Sequence, residues 1–424
     1  MMRRAVCGLL ACLLSGPVAA ERLTLEEALA AVSEAHPDRR LAESDLTLAL
    51  AERDQELSRT DFNLYLDGAL RMGLRPSEFG GDWESNNEGR IVARKSLLDF
   101  GRSRESAAAA EQEVAARRTS LLNLDSLRRI DIMARYFDVL LADIQYAADN
   151  EAMAVAYVAW DDAQDRLELG ELTRPQMLEL EARYQDIRER RNASLQRLQA
   201  TRQRLAHAIN RTQLPTELVE PTLKDNDRRI PEYDVLLPWV SERNSQILIL
   251  QAQLGAADSR MAAIRTENKP ILEAEFVGAD YSRLSSTRDD VSAGLLFTIP
   301  LYQGGRIDTR LAREQAQKEK VLAQIDKLRL DLAEALLETL QEIEWLRGSS
   351  RAAADRQVEY RDWALERARA EYELELKTNL GYSMAETQAA KLRRKQVEFR
   401  LALALARLEA MAGGSLPSIE GANQ

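Results

Sequence analysis

Two stretches of this chain contain almost no residue that breaks a helix. From Arg102 to Leu169 there is neither proline nor glycine, and from Ile307 to Leu374 only Gly348 interrupts the run. At a rise of 1.5 Å per residue, a helix of this size is roughly 100 Å long. Helices of this length cannot fold back into a compact globule, so they must pack on one another as a rod or a tube.

Both stretches carry the apolar stripe of a coiled coil. Apolar residues step by three and four positions, which is the spacing that buries one helix face against a partner. They are Leu127, Ile130, Ala134, Phe137, Leu141, Ile144 and Ala148 in the first stretch, and Ile325, Leu328, Leu332, Leu336, Leu340 and Ile343 in the second. The stripes predict that each long helix packs along another helix over many turns.

Capping signals predict that each long helix turns back on itself. Gly170 follows the first long helix in the position of a C-terminal glycine cap, and Gly381 precedes the return helix of the second. Three capping boxes, each a Thr or Ser followed three residues later by Glu or Gln, lie at Thr24–Glu27, Thr173–Gln176 and Ser383–Glu386. Together these signals predict two helical hairpins, at about 101–211 and 305–411.

Four shorter segments alternate between apolar and other residues, as strands do. They lie at about 62–73, 90–98, 271–281 and 290–300. The clearest alternation runs from Phe62 to Met72, which is about the length of a tilted transmembrane strand. Polar, turn-rich loops separate the members of each pair, so the segments predict two β-hairpins.

The first twenty residues have the pattern of a secretory signal peptide. Met1–Arg4 is a short basic start, Ala5–Leu14 is apolar, and Val18–Ala20 supplies small residues before the cleavage point. A lipoprotein leader cleaved before Cys12 is the alternative, although it leaves a short apolar run. Removing the leader leaves 56 basic against 69 acidic side chains, a net charge of −13. An acidic chain is a poor candidate for nucleic-acid binding, so we expect no nucleic-acid partner.

No later segment is long and apolar enough to predict a transmembrane helix. The exported chain is therefore either soluble in the periplasm or crosses a membrane as β-strands. Four strands in two matched pairs favour the membrane. Because four strands cannot close a barrel and an open edge is not tolerated in lipid, several protomers must share one barrel.

A weak internal repeat divides the chain. Leu98–Arg102 recurs as Tyr302–Arg306 and Leu29–Glu34 as Leu237–Glu242, at separations of 204 and 208 positions. Two such similar separations indicate one duplication. We expect a signal peptide at 1–20, a first structural repeat at 21–228, a second at 229–414 and a C-terminal tail at 415–424.

These segments together resemble the TolC outer-membrane efflux family over nearly the whole expected mature chain. Leu23–Leu29, followed by His36 and Pro37, resembles the family's N-terminal signature. Phe297–Arg306 resembles the segment where the last strand enters the long helix, and Leu98–Arg102 is its first-half copy. Leu169–Thr173 resembles the turn at the periplasmic tip.

The resemblance implies a mainly α protein with a membrane β-barrel contribution and duplicated halves. Long antiparallel coiled-coil helical hairpins would form a periplasmic tunnel, and four β-strands per protomer would build a trimeric barrel of about twelve strands in outer-membrane lipid. Family members are exit ducts that dock onto a periplasmic adaptor protein bound to an inner-membrane pump or ABC exporter. The implied function is passive conduction through a homotrimer in the outer membrane.

The resemblance also implies three groups of functional residues. The adaptor-contact tip comprises Gly170, Glu171, Leu172, Thr173 and Arg174. The possible gate at the second tip comprises Glu375, Gly381, Met384 and Glu386, and here Glu375 stands where the family usually has glycine. The strand-to-helix junctions comprise Gly101, Pro300, Gly304 and Gly305.

The sequence contains no catalytic constellation. His36 and His207 are the only histidines, and both cysteines lie in the expected leader, so no His and Cys cluster can hold a metal. No phosphate loop or nucleophile motif is present. We therefore expect no enzyme activity, no cofactor and no metal. Two other functions stay open: a type I protein-secretion outlet with the same fold, and a soluble periplasmic coiled-coil scaffold or adaptor without a pore.

Overall fold

The computed structural model describes residues 22–34, 36–74, 81–215, 217–282, 288–374 and 380–417. The expected leader, which includes Cys12, and the expected gate residue Glu375 lie outside the described residues. Helices dominate the described chain. They are α1 (Leu25–Ala30), α2 (Pro37–Ser58), α3 (Arg102–Glu168), α4 (Arg174–Ala208), α5 (Tyr233–Arg243), α6 (Ser245–Arg265), α7 (Arg306–Trp345), α8 (Arg351–Glu373) and α9 (Leu380–Met411). None of these described helices is both long and apolar enough to cross a bilayer.

The strands are short and lie between the helices. They are β1 (Arg22–Leu23), β2 (Asn63–Ala69), β3 (Met72–Leu74), β4 (Trp83–Ser85), β5 (Glu88–Leu98), β6 (Glu217–Leu218), β7 (Ile271–Tyr281) and β8 (Val291–Thr298). The four predicted strand segments are all extended in the structure, but the first is divided into β2 and β3.

Two compact units can be distinguished. The first contains the described residues up to His36 together with Leu127–Arg229 and Thr339–Leu408. The second contains Pro37–Ser126, Ile230–Glu338 and the described residues from Glu409 onwards. Each unit therefore combines segments from both of the expected sequence repeats.

The core of the first unit is built on one face of α3. Ile132 and Tyr136 are fully buried, and Phe137 stacks on Phe399 of α9 with ring centroids 4.3 Å apart. The predicted coiled-coil stripe follows this face only in part, since Phe137 and Ala148 are buried but Leu127 is 51 % exposed. The core also includes residues of α4 and β1. A helix that packs against several elements at once buries a wider face than the seam of a two-helix coiled coil.

The second predicted stripe is confirmed, because Ile325, Leu332, Leu336 and Ile343 are buried. However, the single helix predicted here is divided by a π-helical turn at Leu346–Ser350, around Gly348. The segments α7, π turn and α8 have 40, 5 and 23 residues, one more in total than the 67 of α3. A π turn accommodates one additional residue without ending the helix.

The second unit contains a four-stranded antiparallel sheet in the order β2-β5-β7-β8. The first predicted strand leaves this sheet at Arg71. The Arg71 N–H donates to Asn87 Oδ1 at 3.0 Å, and its carbonyl accepts from the Asn86 N–H at 2.6 Å. These bonds take the Arg71 backbone out of the main ladder, so β3 pairs with β4 in a separate two-stranded ribbon.

Candidate functional site

The register of the four-stranded sheet separates an apolar face from a polar one. Directly paired residues of an antiparallel ladder point to the same side, and successive residues of one strand alternate. The apolar face consists of Leu64, Leu66, Ile91, Ala93, Leu272, Ala274, Phe276, Val291, Ala293, Leu295 and Phe297. Within the sheet, charged residues share this face only near its two ends, at Lys95 and Asp280. All four strands thus contribute to one continuous apolar surface.

This apolar surface is exposed in the single chain. Leu66 is 75 % exposed, Leu295 67 % and Phe297 59 %. Scattered exposed apolar residues are ordinary, but a contiguous patch that covers a whole sheet face marks contact with another apolar phase or protein. The surface therefore requires a covering partner.

The opposite face carries the charged side chains of the sheet. Arg90 pairs with Asp67 at 3.4 Å, and Arg94 pairs with Glu275, in both cases across neighbouring strands. These four residues are not among the predicted site residues, because the segment 90–98 alternates only weakly in hydrophobicity. The signal was present in the spacing of Arg90 and Arg94, which at an interval of four lie on one strand face.

The sheet has two unpaired edges within the described chain. β2 and β8 each have a ladder partner on one side only. Because every neighbouring pair in the order β2-β5-β7-β8 is antiparallel, β2 and β8 run in opposite directions. The β8 edge of one copy can therefore pair with the β2 edge of another copy and continue the antiparallel pattern.

The predicted junction glycines lie where strands enter helices. Gly101 has φ +91°, Gly304 +64° and Gly305 +74°, a region that glycine enters without steric cost. Pro300 follows β8 in the segment that leads to Gly304 and α7. These backbone angles allow a sharp change of direction between an extended segment and a long helix.

Asp99 caps the first of these long helices. Its carboxylate accepts hydrogen bonds from the Gly101 N–H at 3.0 Å and the Ser103 N–H at 2.8 Å. Burial raises the pKa of Asp99, but its hydrogen bonds, led by those from Ser103, outweigh this effect and the net pKa is lowered. The side chain is therefore held in its charged form at the positive end of α3.

The first predicted tip is a sharp turn between α3 and α4. Gly170 has φ +74°, and the Glu171 N–H donates to the Arg166 carbonyl at 2.8 Å, which closes the end of α3. The Thr173 N–H donates to Gln176 Oε1 at 2.9 Å, as the capping box predicts. Of the five predicted tip residues, Leu172 is half-buried, and Gly170, Glu171, Thr173 and Arg174 are exposed.

Comparison with known proteins gives similarity in structure but not in sequence. No family model and no curated protein matches the sequence. The outer-membrane channel CmeC of Campylobacter jejuni is similar at a TM-score of 0.76 and 13 % identity, over 92 % of this chain and 86 % of that chain. The outer-membrane protein VceC of Vibrio cholerae is similar at 0.70 and 18 %, over 93 % and 97 %. The MtrE channel of Neisseria gonorrhoeae, in its open state, is similar at 0.71 and 16 %, over 92 % and 89 %.

The chain has the fold of the TolC family of outer-membrane channels. The resemblance expected from the short motifs is thereby confirmed, although no sequence comparison detects it. At 13–18 % identity the fold is retained and most side chains differ. The roles of individual residues must therefore be argued from this chain itself.

The second tip of this TolC-type chain differs from the sequence prediction. The expected capping box at Ser383 and Glu386 is wrong, because α9 already begins at Leu380 and both residues lie inside it. The Ser383 carbonyl accepts from the Thr387 hydroxyl at 2.9 Å, which is an interior helix contact. Met384 also lies within the first turns of α9.

Two expected gate residues make close contacts in the first unit. A Cβ atom at Gly381 would lie 2.1 Å from Val155 Cγ2, so Gly381 lets α9 approach α3 closely. Glu386 forms an ion pair with Arg361 of α8 at 2.7 Å. The sequence prediction placed Gly381 in the turn before the return helix, because a glycine near a turn has the same appearance in sequence whether it lies in the turn or packs within a helix.

Over the described ranges there is no group of three or more His, Cys, Asp or Glu side chains that could hold a metal ion. His207 lies 2.6 Å from the Gln203 side chain, through its Nε2 atom. The candidate functional regions of this chain are the two faces of the sheet, the strand-to-helix junctions and the two hairpin tips.

Proposed function

We propose that this chain is a subunit of an outer-membrane exit duct, through which substrates delivered by an inner-membrane pump pass without further energy input. Its four-stranded sheet would lie in the outer membrane, and its helical hairpins would form a tunnel in the periplasm. The observation that carries the proposal is the division of the sheet into an exposed apolar face and a charged face.

An apolar face that spans all four strands fits contact with lipid. In membrane barrels the outward residues of each strand are apolar and the inward residues are polar. Here Leu66 and Leu295 belong to the face that would meet lipid, and the Arg90–Asp67 and Arg94–Glu275 pairs belong to the face that would line the lumen. A soluble scaffold would leave this apolar face in water, which is why we favour the channel.

The unpaired edges support oligomerisation. An open sheet edge in lipid would leave backbone N–H and C=O groups without partners, which costs several kcal/mol per group. Pairing β8 of each copy with β2 of the next removes both edges. Three copies would close a barrel of about twelve strands, as the likeness to TolC-type channels suggests.

The first hairpin tip is the proposed contact for a periplasmic adaptor protein. Its exposed residues directly follow the 67-residue helix α3. At the second tip, we propose that opening separates α9 from α8 and breaks the Arg361–Glu386 ion pair.

Two adjacent positions on β8 test the channel. Ala293 lies on the apolar face and Ser292 on the charged face, so Ala293→Asp and Ser292→Asp place similar carboxylates on opposite sides of one strand. We expect Ala293→Asp to reduce membrane-inserted oligomer, since a lipid-facing charge costs up to about 2 kcal/mol per copy. We expect Ser292→Asp to insert normally and to increase cation selectivity in planar-bilayer recordings.

Equal effects of the two substitutions would contradict the assignment of the faces. A wild-type chain that stays in the soluble periplasmic fraction and never gives discrete conductance steps would contradict the channel itself. The coiled-coil scaffold would then replace it.

The adaptor contact is tested at Thr173. Thr173→Lys places a long cation at the tip, whereas Thr173→Ser keeps a hydroxyl at the helix cap and serves as the matched control. We expect Thr173→Lys to abolish co-purification of the adaptor and to lower efflux in cells, while Thr173→Ser leaves both unchanged. Normal co-purification and efflux with Thr173→Lys would remove this contact from the proposal.

A further inference from the structure

A row of four arginines runs along one face of α4. Arg183, Arg190, Arg197 and Arg204 follow one another at intervals of seven residues. Because seven residues make almost two whole turns, the row drifts by only about 20° per interval and spans roughly 30 Å of helix. All four residues are exposed, and in the described part of the chain none of them forms an ion pair or donates a side-chain hydrogen bond. The row is therefore free to bind a ligand.

The arginine row borders a groove in the first unit. A cavity of about 560 Å³ lies among α3, α4 and α9 and is lined by Arg183 and Arg190. A second cavity of about 130 Å³ lies among the same three helices and is lined by Arg197 and Arg204. Gln145 of α3 lines both cavities, so they join into one groove. We call it the arginine groove, with α3 as its floor and α4 and α9 as its walls.

The other lining residues of the larger cavity are mostly apolar and small. They include Ala148, Ala152 and Ala156 of α3, Ile187 of α4, and Ala385 and Ala389 of α9. A long apolar groove of this kind accepts the apolar face of an amphipathic helix. The interval of seven residues also fits a helical ligand, because a packed helix presents its own side chains at the same interval.

The carboxylates of the groove do not neutralise the arginine row. Asp149 is buried and accepts from Gln145 Nε2 at 3.0 Å, and Glu386 pairs with Arg361 at 2.7 Å. Asp138 is the third carboxylate of the lining. With Glu386 neutralised by Arg361, four guanidinium groups remain against two carboxylates. The groove therefore keeps a net positive charge, which favours an acidic ligand.

Side-chain contacts place the groove on a face of the helices of the first unit and not at an edge. Ring stacking joins α4 to α3 and α3 to α9, and an ion pair joins α9 to α8. The helix that forms the groove floor thus has a neighbour on each side. Copies that close a ring meet at their edges, so the groove would stay open to another protein. This step rests on the proposed function, which supplies the ring.

We propose that the arginine groove binds an amphipathic α-helix of a partner protein, with carboxylates seven residues apart beside its apolar face. The apolar face would lie on the alanines of the groove floor. Each carboxylate would accept hydrogen bonds from one guanidinium group, which donates paired N–H groups to carboxylate oxygens. This contact is separate from the one proposed at Thr173, which lies in the turn after α3. The spacing of the charges would fix the register of the partner along α4.

Binding of three fluorescent helical peptides to the full-length, detergent-purified protein tests this. The acidic peptide, about four heptads long, carries Glu at every seventh position beside a face of alanine and leucine. The basic peptide has Lys in place of each Glu, and the shifted peptide has the same composition with Glu at every fifth position. We expect the acidic peptide to bind at least about tenfold more tightly than either, because each exposed ion pair contributes a factor of up to about five. The preference should shrink as salt is added.

Three variants assign the preference to the groove. Arg190→Gln combined with Arg197→Gln should weaken binding of the acidic peptide about tenfold, since two of the four ion pairs are lost. Ala156→Trp fills the larger cavity without a change of charge and should also weaken the acidic peptide about tenfold. Arg188→Gln is the control, because Arg188 is exposed on α4 but lines neither cavity. It should change the affinity less than about twofold.

Equal affinity for the acidic and the shifted peptide, or full affinity of the double arginine variant, would overturn the proposal. If the double variant instead changes the oligomeric state in light scattering, the groove is an interface between copies, which also overturns it. Conductance recordings separate this proposal from the channel. A conducting protein that does not distinguish the peptides contradicts the groove alone, and a non-conducting protein that does distinguish them contradicts the channel alone.

Discussion

The two long helical hairpins are both attached to non-helical segments in the first unit, but by different chemistry. In the first hairpin, the hydroxyl oxygen of Tyr136 lies 2.8 Å from the Leu23 carbonyl and 2.6 Å from the Val219 carbonyl. Tyr136 is fully buried, and it connects α3 to the chain around β1 and β6. This attachment is neutral.

The second hairpin is attached through two arginines, Arg347 within the π turn and Arg351 directly after it. Arg351 binds Glu398 of α9 at 2.7 Å and Asp227 at 2.6 Å. Arg347 donates to the carbonyls of Asn226 and Arg228, both at 2.8 Å. The segment between the expected repeats is therefore held against α8 and α9 by two guanidinium groups.

The two attachments differ in how they respond to pH. Burial raises the pKa of Tyr136 to about 12, so the neutral phenol is favoured in the folded chain. The hydrogen bond from Arg351 lowers the pKa of Asp227, so there the charged form is favoured. One hairpin is thus weakened by base and the other by acid, although the two have almost the same helix length.

Adding a second extra residue to the second hairpin should have the largest effect. The π turn already accommodates one additional residue, so a glycine inserted after Gly348 turns everything beyond it by about 100° relative to its partners. The burial of Ala354 and Val358 and the Arg351 contacts would then be lost together. We expect a loss of more than about 5 kcal/mol or failure to fold, measured by thermal unfolding with circular dichroism.

Gly348→Ala is the matched control for this insertion. No atom lies within 4 Å of a Cβ atom built at Gly348, and the substitution keeps the register. We expect it to stabilise the protein by about 0.5–1 kcal/mol, since alanine favours the helix more than glycine does. A similar loss from both changes would show that the glycine, and not the register, is essential.

Removing the ion pairs of Arg351 should have the second largest effect on the free energy of unfolding. Arg351→Met leaves Glu398, whose side chain is 25 % exposed, without its partner. We expect a loss of about 2–4 kcal/mol in denaturant unfolding, because an unpaired, partly buried carboxylate remains. Arg356→Met, on the exposed side of α8, should cost less than about 1 kcal/mol. If both variants behave alike, the attachment contributes nothing beyond a surface ion pair.

Tyr136 makes the attachment of the first hairpin sensitive to high pH. The unfolded phenol ionises near pH 10 and the folded one near 12. The group therefore contributes its full stabilisation below pH 10 and loses it as pH rises towards 12, by up to about 3 kcal/mol. We expect Tyr136→Phe to lower the free energy of unfolding by about 1–2 kcal/mol at pH 8. Between pH 10 and 12 the denaturant midpoint of the variant should fall less steeply than that of the wild type. If the midpoint of the variant falls as steeply as that of the wild type, other groups cause the loss of stability at high pH.

Asp227 makes the attachment of the second hairpin sensitive to low pH, and its substitution should have the smallest effect on stability. Its folded pKa is lowered, so its contribution is present above the unfolded pKa near 4 and is lost as pH falls through the folded value. Because its side chain is 73 % exposed, we expect Asp227→Asn to cost less than about 1 kcal/mol at pH 7. The variant should lose less stability than the wild type between pH 5 and 3. A steeper loss would contradict the assignment.

Local patterns predicted the elements of this fold well. The absence of glycine and proline predicted α3 over nearly its full length, and Gly170 with the Thr173 box predicted its turn. Alternation located all four predicted strand segments, but it missed the break at Arg71, where the side chain of Asn87 accepts the backbone hydrogen bond. The start of α9 was misplaced because Gly381 packs against Val155, a contact that no neighbouring residue reveals.

The sequence by itself determined the length of α3, the strand periodicity and the turn at Gly170, because backbone angles and side-chain periodicity depend on residues a few positions apart. Only the tertiary structure decided which strand faces coincide and which residues attach each hairpin. Those arrangements join residues far apart in the chain: Tyr136 and Val219 are 83 positions apart, and Arg94 and Glu275 are 181 positions apart. Such pairs depend on strand register and helix packing, which are properties of the whole chain.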